Sequence, residues 1–292
     1  MRIRSLFAAA ALAGCCVPAA LARHLVEVVA EKRGEDVLLF ANLQNCLCAS
    51  LELTADLTNM QSSEPLPLRR ALTRPRTLLI TLSKRDRSKA WAYKYRFRYV
   101  IGVSGARPDP AAVYQLPFSA GGDYPVVQGY GGVFSHRVGS PSEYSIDWAM
   151  PVGTPVFAAR AGRVVGIRDD SDENGLTEEF FQKANLVVIE HADGTLADYL
   201  HLKVRGVAVT LGQNVQAGDP IGYSGNTGYS RQPHLHVRVS AVKSPGYDES
   251  LPVRWDSTVD FRAVPTKVAP LKPEPRTEPE RVSSERSIDS AK

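Results

Sequence analysis

Gly222-Tyr223-Ser224-Gly225-Asn226-Thr227-Gly228-Tyr229-Ser230-Arg231-Gln232-Pro233-His234-Leu235-His236-Val237-Arg238-Val239 carries the decisive signal in this chain of 292 residues. A Gly-rich turn gives way to strict alternation after Pro233, the pattern of a half-buried strand. On a strand, residues two apart face the same way, so His234 and His236 can enter one cleft. Together with Asp147 and His201 upstream, two imidazoles on one face read as a metal-hydrolase site.

The surrounding segments also read as β-structure. Pro155–Ala159, Gly162–Ile167, Asn185–Glu190 and Leu196–Leu202 are short apolar runs punctuated by glycine, and Asp193-Gly194 is a hairpin turn between the last two. Along Leu196–His201, alternation sets Ala197, Tyr199 and His201 on one face and Leu196, Asp198 and Leu200 on the other. Helical periodicity is nearly absent. Leu176–Lys183 is the one candidate, within an insertion opened by the acidic run Asp169-Asp170-Ser171-Asp172-Glu173, which reads as a solvated loop.

Upstream, residues 23–105 read as a β-sandwich domain. Strand-like runs at Leu25–Val29, Val37–Phe40, Leu51–Leu53 and Thr77–Leu82 precede Trp91–Tyr99, where aromatics alternate with small or basic residues. Gly105–Pro110 marks the break, giving a linker at 106–112 and a second β-unit at 113–263. From about Pro265, Pro, Glu, Arg and Ser dominate, so 264–292 is expected to be a disordered tail. The fold class is therefore all-β.

Composition narrows the partners. The formal charge of +4 includes Arg2 and Arg4 of a leader-like N-terminus, and no basic patch with interleaved aromatics suggests nucleic acid. Residues 1–22 read as an export signal, with the apolar run Leu6–Ala13 and an A-x-A site at Ala20-Leu21-Ala22. Leu12-Ala13-Gly14-Cys15 offers a competing lipid anchor at Cys15. Beyond the leader no apolar run is long enough to span a membrane. Cys46 and Cys48 would bridge only if Leu47 made a turn, and otherwise read as small buried strand residues.

A catalytic zinc site uses three protein ligands and leaves a position for water. It further needs a base and a donor for the oxyanion. Only six histidines are available, and His136, His201, His234 and His236 lie in motif-like settings. Read alone, His191 is a hairpin residue and His24 needs no special role.

The motifs together resemble those of the LytM/lysostaphin-type zinc metallopeptidases, family M23. The resemblance rests on Asp147, Pro151–Ala159, Tyr199-Leu200-His201-Leu202, and Ser224–Gly228 with Pro233–His236, in that order across residues 114–245. It implies an antiparallel β-sheet fold with an open groove, a Zn2+ cofactor, and peptide cross-links of bacterial peptidoglycan as substrate. It implies Asp147 and His236 as zinc ligands, and His234 and His201 as base and oxyanion stabiliser.

One position departs from the family pattern. The usual ligand four residues before the Asp is Glu143 here. Either His136, eleven residues before Asp147, folds back onto the metal, or Glu143 ligates directly. If neither does, the chain is a LytM-type regulator that binds and activates other cell-wall hydrolases. Export to a periplasm is expected in either case. Arg231-Gln232 also departs from the small residues usual before the Pro.

Overall fold

In the computed structural model, residues 24–258 and 261 are described, and the leader, Cys15 and the tail lie outside them. The N-terminal unit holds seven strands: β1 (Val26–Arg33), β2 (Asp36–Leu43), β3 (Ala49–Thr58), β4 (Met60–Ser62), β5 (Leu68–Leu72), β6 (Arg76–Lys84) and β7 (Ala92–Ile101). They form a four-stranded sheet, β1-β2-β6-β4, and a three-stranded sheet, β5-β3-β7. Alternation sends Leu39, Ala41, Leu51, Leu53, Leu82 and Phe97 into one core between the sheets. In β7 the buried aromatics are Tyr95 and Phe97, with the Tyr95 hydroxyl donating to the Val28 carbonyl.

The second unit adds β8 (Val113–Tyr114), β9 (Val126–Gln128), β10 (Ser145–Trp148), β11 (Pro155–Phe157), β12 (Gly162–Arg168), β13 (Asn174–Gly175) and β14 (Asn185–Glu190). It continues with β15 (Leu196–Val207), β16 (Asn214–Val215), β17 (Pro220–Ser224), β18 (Gly228–Tyr229), β19 (Leu235–Ser244), β20 (Tyr247–Ser250) and β21 (Arg254–Trp255). A ten-stranded sheet runs in the order β16-β12-β14-β15-β19-β10-β9, with β17 bridging β11 and β15, and β20 flanking β19. The pairings that carry the site, β9 with β10, β10 with β19 and β19 with β15, are antiparallel. Ile146, Trp148, Leu235, Val237, Val239, Ala197 and Tyr199 all face one core, which leaves Asp147, His236 and Arg238 on the opposite face.

The two units are packed together. Val100, Val165, Val188, Leu196 and Val242 form a shared apolar cluster. Backbone bonds from Leu47 to Val165 and from Ile167 to Asn45 stitch the edges, around a Cys46–Gly166 bridge. A cavity of about 100 Å³ separates Tyr99 and Ile101 of β7 from the sheet face bearing Asp198, Arg238 and His236. Segment 106–112, expected as a linker, is pinned to the β14–β15 turn: Arg107 N–H donates to the Asp193 carbonyl and Asp109 N–H to its carboxylate. Cys46 is buried, Cys48 is half-buried, and both are free thiols.

Two sequence expectations are corrected here. The acidic run at 169–173 is not a solvated loop throughout. The Asp169 carboxylate accepts the N–H groups of Gly206 and Val207, and Ser171 is buried against Asn185. The chain then pairs β13 in parallel with β18, so the insertion braces the segment leading to His234. Of the candidate helix at 176–183, only a single 3-10 turn forms, Glu178–Gln182, with Phe181 stacked on Tyr229. Among the described residues no helix is long and apolar enough to cross a membrane.

Candidate metal centre and flanking imidazoles

Register, rather than sequence proximity, assembles the centre. Asp147 in β10 lies opposite His236 in β19 on one side and opposite Gln128 in β9 on the other. His236 in turn faces Leu200 in β15. One row across four strands thus reads Gln128, Asp147, His236, Leu200.

His136 joins this row from the loop between β9 and β10. Its ring is fully buried, with Nε2 3.3 Å from His236 Nδ1 and 3.4 Å from Asp147 Oδ1. His236 Nδ1 is 2.8 Å from the same Asp147 oxygen. Glu143 is not in the cluster: its carboxylate accepts the Gly139 N–H at 2.7 Å, within the loop itself. The local reason is the turn at Ser140–Tyr144, which points Glu143 back along its own loop while His136 is carried inward.

The three donor atoms suit a small cation. Ligands at tetrahedral zinc distances are separated from one another by ~3.3 Å, close to the edges of this triangle. Nδ1 of His136 is 3.1 Å from the Gly129 carbonyl, so the tautomer that donates there turns Nε2 to a metal. Two imidazole nitrogens and a carboxylate oxygen therefore face one point, an arrangement that a divalent cation satisfies by taking the place of the protons they share in its absence. This is the cluster of His, Cys, Asp or Glu found among the described residues with metal-holding geometry.

His234 and His201 flank it. His234 Nε2 is 3.8 Å from Asp147 Oδ1, and its Nδ1 lies 2.8 Å from the Gln232 carbonyl and 3.1 Å from Ser230 Oγ. The His201 and His234 rings lie side by side with centroids 4.4 Å apart and planes inclined by 44°. Strict alternation had placed His201 on the core face with Tyr199. That expectation is corrected: His201 adopts φ +65° where the β14–β15 register slips between Leu200 and Leu202. The irregularity turns its side chain from the core to the groove. There Nδ1 donates to the Thr227 carbonyl at 2.6 Å.

Burial sets the electrostatics. It pushes His236 down to about 4 against the pull of the Asp147 carboxylate. Burial, with His234 and His236 close by, also takes His201 well below its ordinary value. For Asp147 burial would raise the pKa, but His136 and His234, with hydrogen bonds from His136 and His236, hold the carboxyl well below the usual range. At neutral pH the site therefore comprises a carboxylate and neutral His201 and His236.

Three contributors were missed in the sequence. Gln128 lies in a segment where the sequence showed neither an element nor a motif. Thr227, although inside the Gly-rich motif, carried no assigned role, yet its carbonyl fixes His201 and its hydroxyl bonds Leu202. Ser230 likewise contacts His234. Only the position of the latter two between the glycines and His234 hinted at a supporting role.

Comparison with known proteins fits this geometry. Residues 141–246 match the model of peptidase family M23, a stretch that contains Asp147, His201, His234 and His236 but begins after His136. The peptidoglycan DD-endopeptidase ShyA of Vibrio cholerae is 41% identical over 93 residues, covering 32% of this chain and 19% of that protein. Lysostaphin of Staphylococcus simulans is 36% identical over 113 residues, covering 38% of this chain and 21% of its own length. The solved catalytic domain of lysostaphin is 30% identical, covers 42% of this chain and 83% of that chain, and aligns with a TM-score of 0.32. The chain spans about a fifth of the length of these curated relatives. With the matched stretch carrying β10, the β15 histidine and the His-x-His strand in one sheet, residues 141–246 of the chain belong to peptidase family M23.

Proposed function

We propose that this protein is an exported zinc metalloendopeptidase that hydrolyses peptide cross-links of bacterial peptidoglycan. The observation that carries the reading is the convergence of His136 Nε2, Asp147 Oδ1 and His236 Nδ1 to within 2.8–3.4 Å of one another, beside two further imidazoles. These three residues would hold the zinc. When bound, zinc supplies Lewis-acid polarisation and brings the pKa of water toward neutrality.

The chain's own groups supply the proton chemistry. His201 and His234 each have Nδ1 pinned to a backbone carbonyl, leaving Nε2 toward the groove. Either Nε2 can accept the proton of an attacking water and return it to the leaving amine. Once protonated, the same Nε2–H donates to the oxygen that gains charge during attack. The rings are too close for both to carry a proton easily, so one acts as acid while the other stays neutral. The choice of substrate is supported by the relatives, whose names specify peptidoglycan DD-endopeptidase and glycyl-glycine endopeptidase.

The test is elemental analysis of the purified chain, paired with release of soluble peptides from purified peptidoglycan. The expected result is near-stoichiometric zinc, lost in His236→Ala together with activity. A folded protein that holds no zinc and releases nothing would overturn the reading in favour of a non-catalytic regulator of other hydrolases.

A further inference from the structure

The His136 loop raises a physical problem. It must bring a ligand to Asp147 from eleven residues away, yet the stretch around that ligand, residues 133–138, leaves its large apolar side chains exposed. Val133, Phe134 and Val138 are 66%, 50% and 79% exposed. Hydrophobic packing anchors the root of the loop, where Tyr130 lies against the core and Tyr144, but cannot fix where the stretch around His136 sits relative to β10. Several bonds tie the loop to itself, such as Gly131 N–H to the Glu143 carbonyl and Ser140 Oγ to the Ser135 carbonyl. None of these reaches Asp147.

Apart from His136 itself, one side chain links the loop to Asp147. Gln128 is 4% exposed, and all four hydrogen-bonding positions of its amide are used. Its Oε1 accepts the N–H groups of Phe134 and Ser135 at 3.0 and 3.1 Å. Its Nε2 donates to Ser135 Oγ and to Asp147 Oδ2, both at 2.9 Å. Two backbone donors on one side and a carboxylate on the other leave no alternative orientation for the amide. Asp147 thereby presents Oδ1 alone to the two histidines, because Oδ2 is engaged. Gly132 closes the loop over the same side chain: a Cβ there would come within 2.3 Å of Gln128 Cγ.

We infer that Gln128 is the positioning residue of the metal centre, one amide that fixes both the carboxylate ligand and the loop delivering the histidine ligand. The inference rests on the metal reading above. It explains how a histidine so far from Asp147 in sequence takes the place of one four residues away. Partners that orient ligands typically change metal affinity by about 10- to 100-fold when removed.

The experiment measures zinc affinity of the full chain by competition with a chromogenic chelator, and the visible absorption of the Co2+-substituted protein. Gln128→Glu keeps the side-chain length and the acceptor for Phe134 and Ser135, but sets an oxygen against Asp147 Oδ2. We expect zinc to bind about 10- to 100-fold more weakly and the Co2+ spectrum to change, in a chain whose metal-free folding is checked by circular dichroism. Gly132→Ala provides a second variant, displacing Gln128 while every polar group remains, and should weaken zinc in the same direction. A zinc affinity within about threefold of wild type in folded Gln128→Glu, or in Gly132→Ala should Gln128→Glu not fold, overturns the inference and leaves the metal reading intact. A wild-type chain that binds no zinc overturns both.

Discussion

His201 donates from Nδ1 to the Thr227 carbonyl at 2.6 Å while its own backbone sits at φ +65°. A non-glycine residue in this region costs about 1–3 kcal/mol and persists only where its surroundings over-determine it. Here the Thr227 hydroxyl donates to the Leu202 carbonyl and accepts the Asn185 N–H, holding the receiving segment against β15. The strain places an imidazole beside the metal donors without making it one of them. His201→Ala should therefore keep its zinc while losing about 10²–10⁴-fold in kcat. Metal content and turnover measured on the same preparation check this; loss of zinc would assign His201 to the metal instead.

His136 and Glu143 should separate cleanly in a parallel substitution. His136→Ala removes a buried donor at the apex of the triangle, and zinc binding should fall by orders of magnitude. Glu143→Ala removes a half-buried carboxylate whose partner is the Gly139 N–H, so zinc content should be unchanged and stability should shift by about 1 kcal/mol or less. Elemental analysis and urea denaturation of the two variants give the answer. Zinc lost only in Glu143→Ala would reverse the assignment.

The contrast between His236 and His201 shows what the sequence could and could not carry. His234 and His236 were legible because their spacing matches the strand period, and β19 keeps that period with Leu235 and Val237 in the core. His201 defeated the same rule, since one residue of register slip reverses a face and nothing in Tyr199-Leu200-His201-Leu202 announces the slip. The His136 loop could be offered only as one of two possibilities, because its return depends on a glutamine amide from a strand with no motif around it. The acidic insertion looked solvated by charge alone. Its attachment comes from Asp169 accepting two backbone N–H groups near residue 206, a tertiary partner that local composition does not encode.

Arg238, two residues beyond His236, should be the most costly charge to remove. Its guanidinium is buried between Asp198 and Asp248, donating to both carboxylates and to the Pro141 carbonyl. Burial lifts the Asp198 pKa above its ordinary value even with Arg238 alongside. Arg238→Ala would leave two buried carboxylates without their cation, at a cost of about 3–5 kcal/mol. Adding Asp198→Asn should recover part of that loss, since one uncompensated charge goes with it. Chemical denaturation of the single and double variants tests the coupling; additive losses would show that the two residues act independently.

His191 offers a pH test away from the metal donors. It is buried at the end of β14, with Nδ1 2.8 Å from the Ala161 carbonyl and Nε2 without a partner. Burial lowers its pKa from 6.5 to about 4, partly opposed by the hydrogen bond to Ala161. The sign follows from linkage: between pH 4 and 6.5 the unfolded chain binds the proton and the folded chain does not, so stability falls as pH falls through that window. The full swing corresponds to about 3 kcal/mol. Because His201 and His236 are also buried and neutral, the whole-protein curve mixes these groups with His191, and a difference measurement is needed. His191→Gln, which has no proton to gain, should be less stable than wild type at pH 7. Its deficit should shrink by up to about 3 kcal/mol as the pH is lowered to 4. Urea denaturation of metal-free wild type and variant across this range reads the difference, and a deficit that does not change with pH would mean that His191 titrates normally in the folded state.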